Sequence, residues 1–156
     1  MTKKTKQPDR DDITATLNGL VETCKDGAQG FRTAADGVEE PGLRRLFGSY
    51  AEQRAQFATE LEGLVQSLGG DPADHGHVAG ALHRGWINLK AAITGKDDAA
   101  VISECERGED FAKDRFRKAL DTDLPAAIRT AVERQYVQVQ QAHDHIRSLE
   151  QSYSKK

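Results

Sequence analysis

Apolar residues recur at spacings of three and four along almost the whole chain, the stripe that an amphipathic helix turns toward a core. Nowhere do they alternate as in a half-buried strand. Ile13, Leu17, Leu20, Cys24, Ala28, Phe31, Ala35 and Val38 predict a helix over 12–38, with Asp11 and Asp12 favouring its positive N-terminal dipole. Leu43, Phe47, Tyr50, Arg54, Phe57, Leu61, Leu64 and Leu68 predict a second over 41–68. Pro41 suits its first turn and "GGDP" ends it. Val78, Leu82, Trp86, Leu89 and Ile93 predict a shorter helix over 76–94. Gly95 is then placed to take the left-handed conformation and Asp97 to cap the next helix. Ile102, Cys105, Glu109, Ala112 and Phe116 predict a helix over 98–120. The last, from Leu124-Pro125 to about 151, follows Ile128, Val132, Gln135, Val139, Ala142, Ile146 and Leu149.

Each long helix would span about 35 to 42 Å at 1.5 Å per residue. The turns near Pro41 and Leu124 are so short that the helices they join must be antiparallel. The connection between the two hairpins contains a helix of its own, enough chain to climb back along the outside as a strap. The expectation is an all-α, up-down-down-up four-helix bundle with one long crossover, a single domain over 11–152 behind a disordered basic tail at 1–10.

Composition narrows the function classes. With 156 residues, 37% hydrophobic and 30% charged, the chain can fill one sizeable core and remain soluble. A net charge of −3 and no long basic stripe argue against a nucleic-acid surface. No apolar run approaches the roughly 18 residues of a membrane span. The charged start leads into no apolar segment of the signal-peptide kind, so a cytoplasmic location is expected. Cys24 and Cys105 lie on apolar faces and read as buried free thiols.

The words "CKDGAQGFRTAAD", "AEQRAQFATEL", "LGGDP", "GALHRGWINLKAAITGKDD" and "ECERGEDFA" resemble an uncharacterised bacterial family of ferritin-like four-helix bundles. The resemblance covers nearly all of the chain after the basic tail. It implies a ferritin-like bundle without an assigned reaction, often suspected of a stress-related role. Ferritin-like di-iron proteins use an inward Glu on two helices and a Glu-x-x-His pair on each of the other two. No Glu-x-x-His occurs in this sequence; the nearest approach is Gln140-x-x-His143. A standard di-iron centre is therefore not expected.

Other constellations have structural readings. His75-x-His77 beside Asp74 offers two imidazoles that point apart, as expected of a solvated loop and helix start. His83, Arg84, Gly85 and Trp86 suggest a packed strap, with Gly85 allowing close approach, Trp86 supplying buried area, and His83 and Arg84 reaching for neighbouring acids. No serine or cysteine comes with an identifiable base, and no phosphate-binding glycine loop precedes a P-loop lysine.

Two charged residues, Arg54 and Glu109, interrupt otherwise apolar stripes. Counting helical rise from the turns puts them close to one level on diagonal helices, with Gln135 and Tyr136 beside them. The four are expected to form a buried polar layer that fixes helix register. The function expected is a non-catalytic bundle with a stress-associated binding or scaffold role, partnered by copies of itself or another protein, without a cofactor. The alternative is a degenerate carboxylate protein binding iron or another divalent metal through Glu22, Glu106, Glu109 and His143.

Overall fold

The computed structural model describes residues 9–73, 86 and 88–154, and everything regular in them is helical. Helix α1 spans Arg10–Gly37, α2 Pro41–Ser67, α3 Leu89–Thr94, α4 Asp98–Leu120 and α5 Ala126–Ser154. Local signals explain most of the boundaries. Asp9 caps α1 through the Asp11 amide, so the helix starts two residues before the expected Asp12. Glu40 caps α2 through the Leu43 amide, with Pro41 in the first turn. Gly69, at φ 81°, closes α2 in the left-handed region that glycine occupies without a Cβ penalty.

One turn departs from expectation. Gly95 stays right-handed at φ −76°, and Lys96 takes the left-handed conformation at φ 54°. Helix α3 runs right-handed through the glycine, which moves the reversal one residue on. Asp97 then caps α4 as expected, through the Ala100 amide. Of the helix expected over 76–94, residues 76–85 and 87 lie outside the described residues, and so do His75, His77, His83, Arg84 and Gly85.

Helix α1 packs on α2 and α4, and α5 packs on α4 and α2; the α1/α5 and α2/α4 pairs are diagonals. The three-residue link between α1 and α2 is tied to the start of α4, because Asp98 accepts from the amides of Glu39 and Glu40 at 3.0 and 3.1 Å. At the opposite end, the Asn18 side chain bonds Asp71 and Ala73, holding the chain after α2 against α1. Short cross-bonds set the register of α5 on α2. The Tyr50 hydroxyl lies 3.2 Å from His145 Nδ1, Gln53 donates to Gln138 at 2.9 Å, and Arg134 grips Glu60.

The core falls into two apolar compartments. One gathers Leu17, Leu20, Phe57, Leu61, Phe116 and Val132; the other gathers Phe31, Phe47, Trp86, Leu89, Ile102 and Ile146. Arg54 and Glu109 sit at the boundary between them.

Trp86 fastens α3 to the bundle, and the room for its ring comes from glycines on the long helices. A Cβ on Gly30 of α1 would lie 2.5 Å from the indole, and one on Gly108 of α4 would lie 2.3 Å from it. No real Cβ sits so close to another heavy atom, so the notch exists only because both positions lack a side chain. The indole stands edge-on to Phe31 with ring centroids 5.1 Å apart. Glu104, buried on α4, accepts from the Asn88 amide at 2.8 Å and completes the attachment.

Candidate functional site

Arg54 and Glu109 face each other across the α2/α4 diagonal, where no backbone contact joins the helices and only long side chains can meet. The guanidinium bonds both carboxylate oxygens, Nη2 to Oε2 at 2.7 Å and Nη1 to Oε1. Arg54 is 1% exposed and Glu109 is fully buried. Phe31 and Phe57 flank the guanidinium at 5.5 and 6.0 Å from their ring centroids. Burial works against the Arg54 charge, but the Glu109 carboxylate outweighs it and holds the pKa above the ordinary arginine value. The same burial pushes the nearby Cys24 thiol up to about 12, and Cys105 is raised well above its usual range. Neither thiol is a poised nucleophile.

The polar layer differs in membership from the expected one. Gln135 is buried but points to another level, donating to Glu60 Oε1 at 2.8 Å and to the Phe57 carbonyl at 3.4 Å. Tyr136 is half-buried and accepts from Gln140. The third and fourth members are Gln53 and Gln138: Arg54 Nε donates to Gln53 Oε1 at 3.3 Å, and Gln53 in turn donates to Gln138. Counting rise from the turn near Leu124 points to Gln135 and Tyr136 because it ignores the axial offset of α5 on α2. Pairing of Glu60 with Arg134 and of Gln53 with Gln138 shows that Arg54 lies level with residues just beyond 135. The signal that finds them is the glutamine pair itself, read against this register.

The residues expected as metal ligands divide among three places. Glu109 is committed to Arg54. Glu22 is on α1, and its carboxylate is not among the ligand atoms that gather at His143. Glu106 and His143 do come together at the outer edge of the α4/α5 pair, with His143 Nε2 3.9 Å from Glu106 Oε2. Asp110, one turn after Glu106 on the same face of α4, joins them with Oδ1 2.6 Å from Nε2. His143 is 2% exposed, Glu106 14% and Asp110 61%, so the cluster grades from core to solvent. Asp110 has no distinguishing mark in the sequence, being one of many acids on an exposed face.

Further acids surround this cluster. Asp144 Oδ1 lies 3.2 Å from His143 Nδ1. Glu150 shares a hydrogen bond with Glu106 and accepts from Ser103 at 2.7 Å. That bond to Glu150, burial, and the negative charges of Glu150 and Asp110 push the Glu106 carboxyl up to about 7, while His143 pulls it down. The same bond and the Ser103 hydroxyl hold the Glu150 carboxyl below its usual value. The nearest guanidinium, Arg147 Nε, is 3.3 Å from Glu106 Oε2.

Comparison with known families assigns the chain. The model of the family described as "Domain of unknown function (DUF2383)" matches residues 12–122, from the first turn of α1 to just past the end of α4. The chain belongs to that family. No curated protein matches the chain. The family match thus takes in the Arg54–Glu109 pair, the Trp86 notch and both α4 acids of the edge cluster, while His143 on α5 lies beyond it. Among the described residues, no helix is long and apolar enough to cross a membrane.

Proposed function

We propose that this DUF2383 chain is a ferritin-like, up-down-down-up bundle serving as a non-catalytic, stress-associated binding or scaffold protein in the cytoplasm. In this reading it acts through contact with further copies of itself or with another protein. The topology draws support from the ends that meet, since Asp98 at the start of α4 bonds the turn that starts α2, making those diagonal helices parallel.

The observation that carries the non-catalytic reading is the bidentate Arg54–Glu109 pair. It fills the centre of the bundle, the place where ferritin-like di-iron proteins gather carboxylates and histidines. A guanidinium there neutralises the buried Glu109 carboxylate and competes directly with a cation. Iron analysis of protein purified without chelator, together with an iron-oxidation assay, tests this. We expect no paired iron and no turnover. Two irons per chain, lost in Glu109→Gln, would overturn it. Light scattering on the same sample tests the self-association.

A further inference from the structure

We propose that Glu106, Asp110 and His143 form a mononuclear site for a first-row divalent transition metal at the outer edge of the α4/α5 pair. Each residue offers one ligand atom, and the three atoms lie within 4.8 Å of one another. Donors bound to one ion at about 2.0 to 2.2 Å stand roughly 3 to 4 Å apart. The 3.9 Å between Glu106 Oε2 and His143 Nε2 already meets that spacing. Asp110 is too close to His143 at 2.6 Å, but it is 61% exposed, and a small rotation of its side chain opens the gap.

Two further features separate this cluster from an ordinary acidic face. The first concerns the imidazole. His143 is buried and held from behind, with Asp144 against Nδ1, which aims Nε2 at the two α4 carboxylates. A carboxylate behind the ligating imidazole is the outer support that metal-binding histidines use to fix ring orientation. The second is an unmatched charge. Glu106, Asp110, Asp144 and Glu150 converge here, and the cation against Glu106 is the largely exposed Arg147.

The donor set indicates the class of ion. One imidazole with two carboxylates suits zinc, iron(II) or manganese(II); an all-oxygen cage would suit calcium or magnesium, and thiolates would suit copper(I). Three protein ligands at a partly exposed edge leave coordination positions for water or a small ligand.

The test uses the full chain, stripped with chelator, desalted and titrated with cobalt(II) while visible absorption is recorded, with zinc(II) as competitor. We expect one equivalent bound, displaced by zinc. Asp110→Asn, at an exposed position, should leave the circular dichroism unchanged and weaken binding by at least 10-fold. Asp144→Asn should weaken it by about 10- to 100-fold, the usual effect of losing an outer-shell partner. The double variant Arg54→Met, Glu109→Leu should bind as the parent does. Absence of a saturable equivalent at millimolar cobalt, or affinity unchanged in Asp110→Asn, would overturn the proposal. Loss of binding in the Arg54/Glu109 double variant would also overturn it, by placing the ion in the core.

Discussion

Helix α4 carries acids to two destinations one turn apart. Glu109 turns inward and meets Arg54, so a buried carboxylate is matched by one cation with both oxygens bonded. Glu106 and Asp110 turn toward α5 and meet a histidine and further carboxylates. The centre is balanced and dry; the edge holds surplus negative charge and opens to water. The contrast follows from what each environment tolerates. An unmatched charge in the core would cost several kcal/mol, so a core carboxylate persists only with its partner. At the rim, water and protonation soften the repulsion, and a cluster poor in cations can persist. A balanced pair is a structural element, whereas a surplus is what a ligand can use.

The comparison breaks first at the centre. Removing either partner, as Arg54→Met or Glu109→Leu, strands the other charge in a dry site and should destabilise by about 3 to 5 kcal/mol. Making both changes should recover much of that loss, because two apolar residues of similar volume replace two paired charges. Urea unfolding of the four proteins closes the cycle. If the two single losses simply add, the pair is not a unit and the core is organised some other way.

Trp86 tests a different kind of centre, one held by shape. Trp86→Ala should cost about 3 to 5 kcal/mol, the range for truncating a large buried aromatic. Gly108→Ala probes the same notch from the other side. Alanine is the better helix former by about 1 kcal/mol, so on an open helix face the change would stabilise. Here the new Cβ would lie 2.3 Å from the indole, and overpacking of about 1 to 3 kcal/mol should win. An unfolding midpoint that rises in Gly108→Ala would show that the indole does not occupy the notch.

Much of this was legible in the sequence, and the parts that were not share a cause. Stripes at three and four residues place α1, α2, α4 and α5, because each helix must bury one face and its caps mark its ends. Arg54 and Glu109 stand out because each interrupts such a stripe. Partnership across helices is harder to read. Counting helical rise puts Gln135 and Tyr136 level with the pair, whereas the axial offset of α5 brings Gln138 there, bonded to Gln53. The notch glycines, Gly30 and Gly108, lie on two different helices, and nothing local couples them to Trp86. Asp110 is an exposed acid on a charged face until α5 brings His143 against it. Periodicity reports which face is buried; it carries no information on what stands opposite.

The smallest effect isolates burial from geometry. Arg134 and Glu60 form a second bidentate Arg–Glu pair, this one between the neighbouring helices α5 and α2 and not across a diagonal, with Nη1 to Oε1 at 3.2 Å. Its side chains are 51% and 37% exposed, against 1% and 0% for Arg54 and Glu109. The hydrogen bonds from Arg134 and Gln135 lower the Glu60 pKa, with burial opposing them. A depressed carboxylate pKa stabilises the fold above the unfolded-state value of 4.5, and that contribution disappears as pH falls through the lower folded-state value. In water the pair should be worth little. A double-mutant cycle on Arg134→Leu and Glu60→Gln at pH 7 should give a coupling of about 0.2 to 1 kcal/mol, shrinking with salt and vanishing in acid. The Arg54–Glu109 coupling should be several times larger and nearly indifferent to salt, because no ions reach it. Equal couplings in the two cycles would mean that bidentate geometry, and not removal from water, makes the central pair a unit.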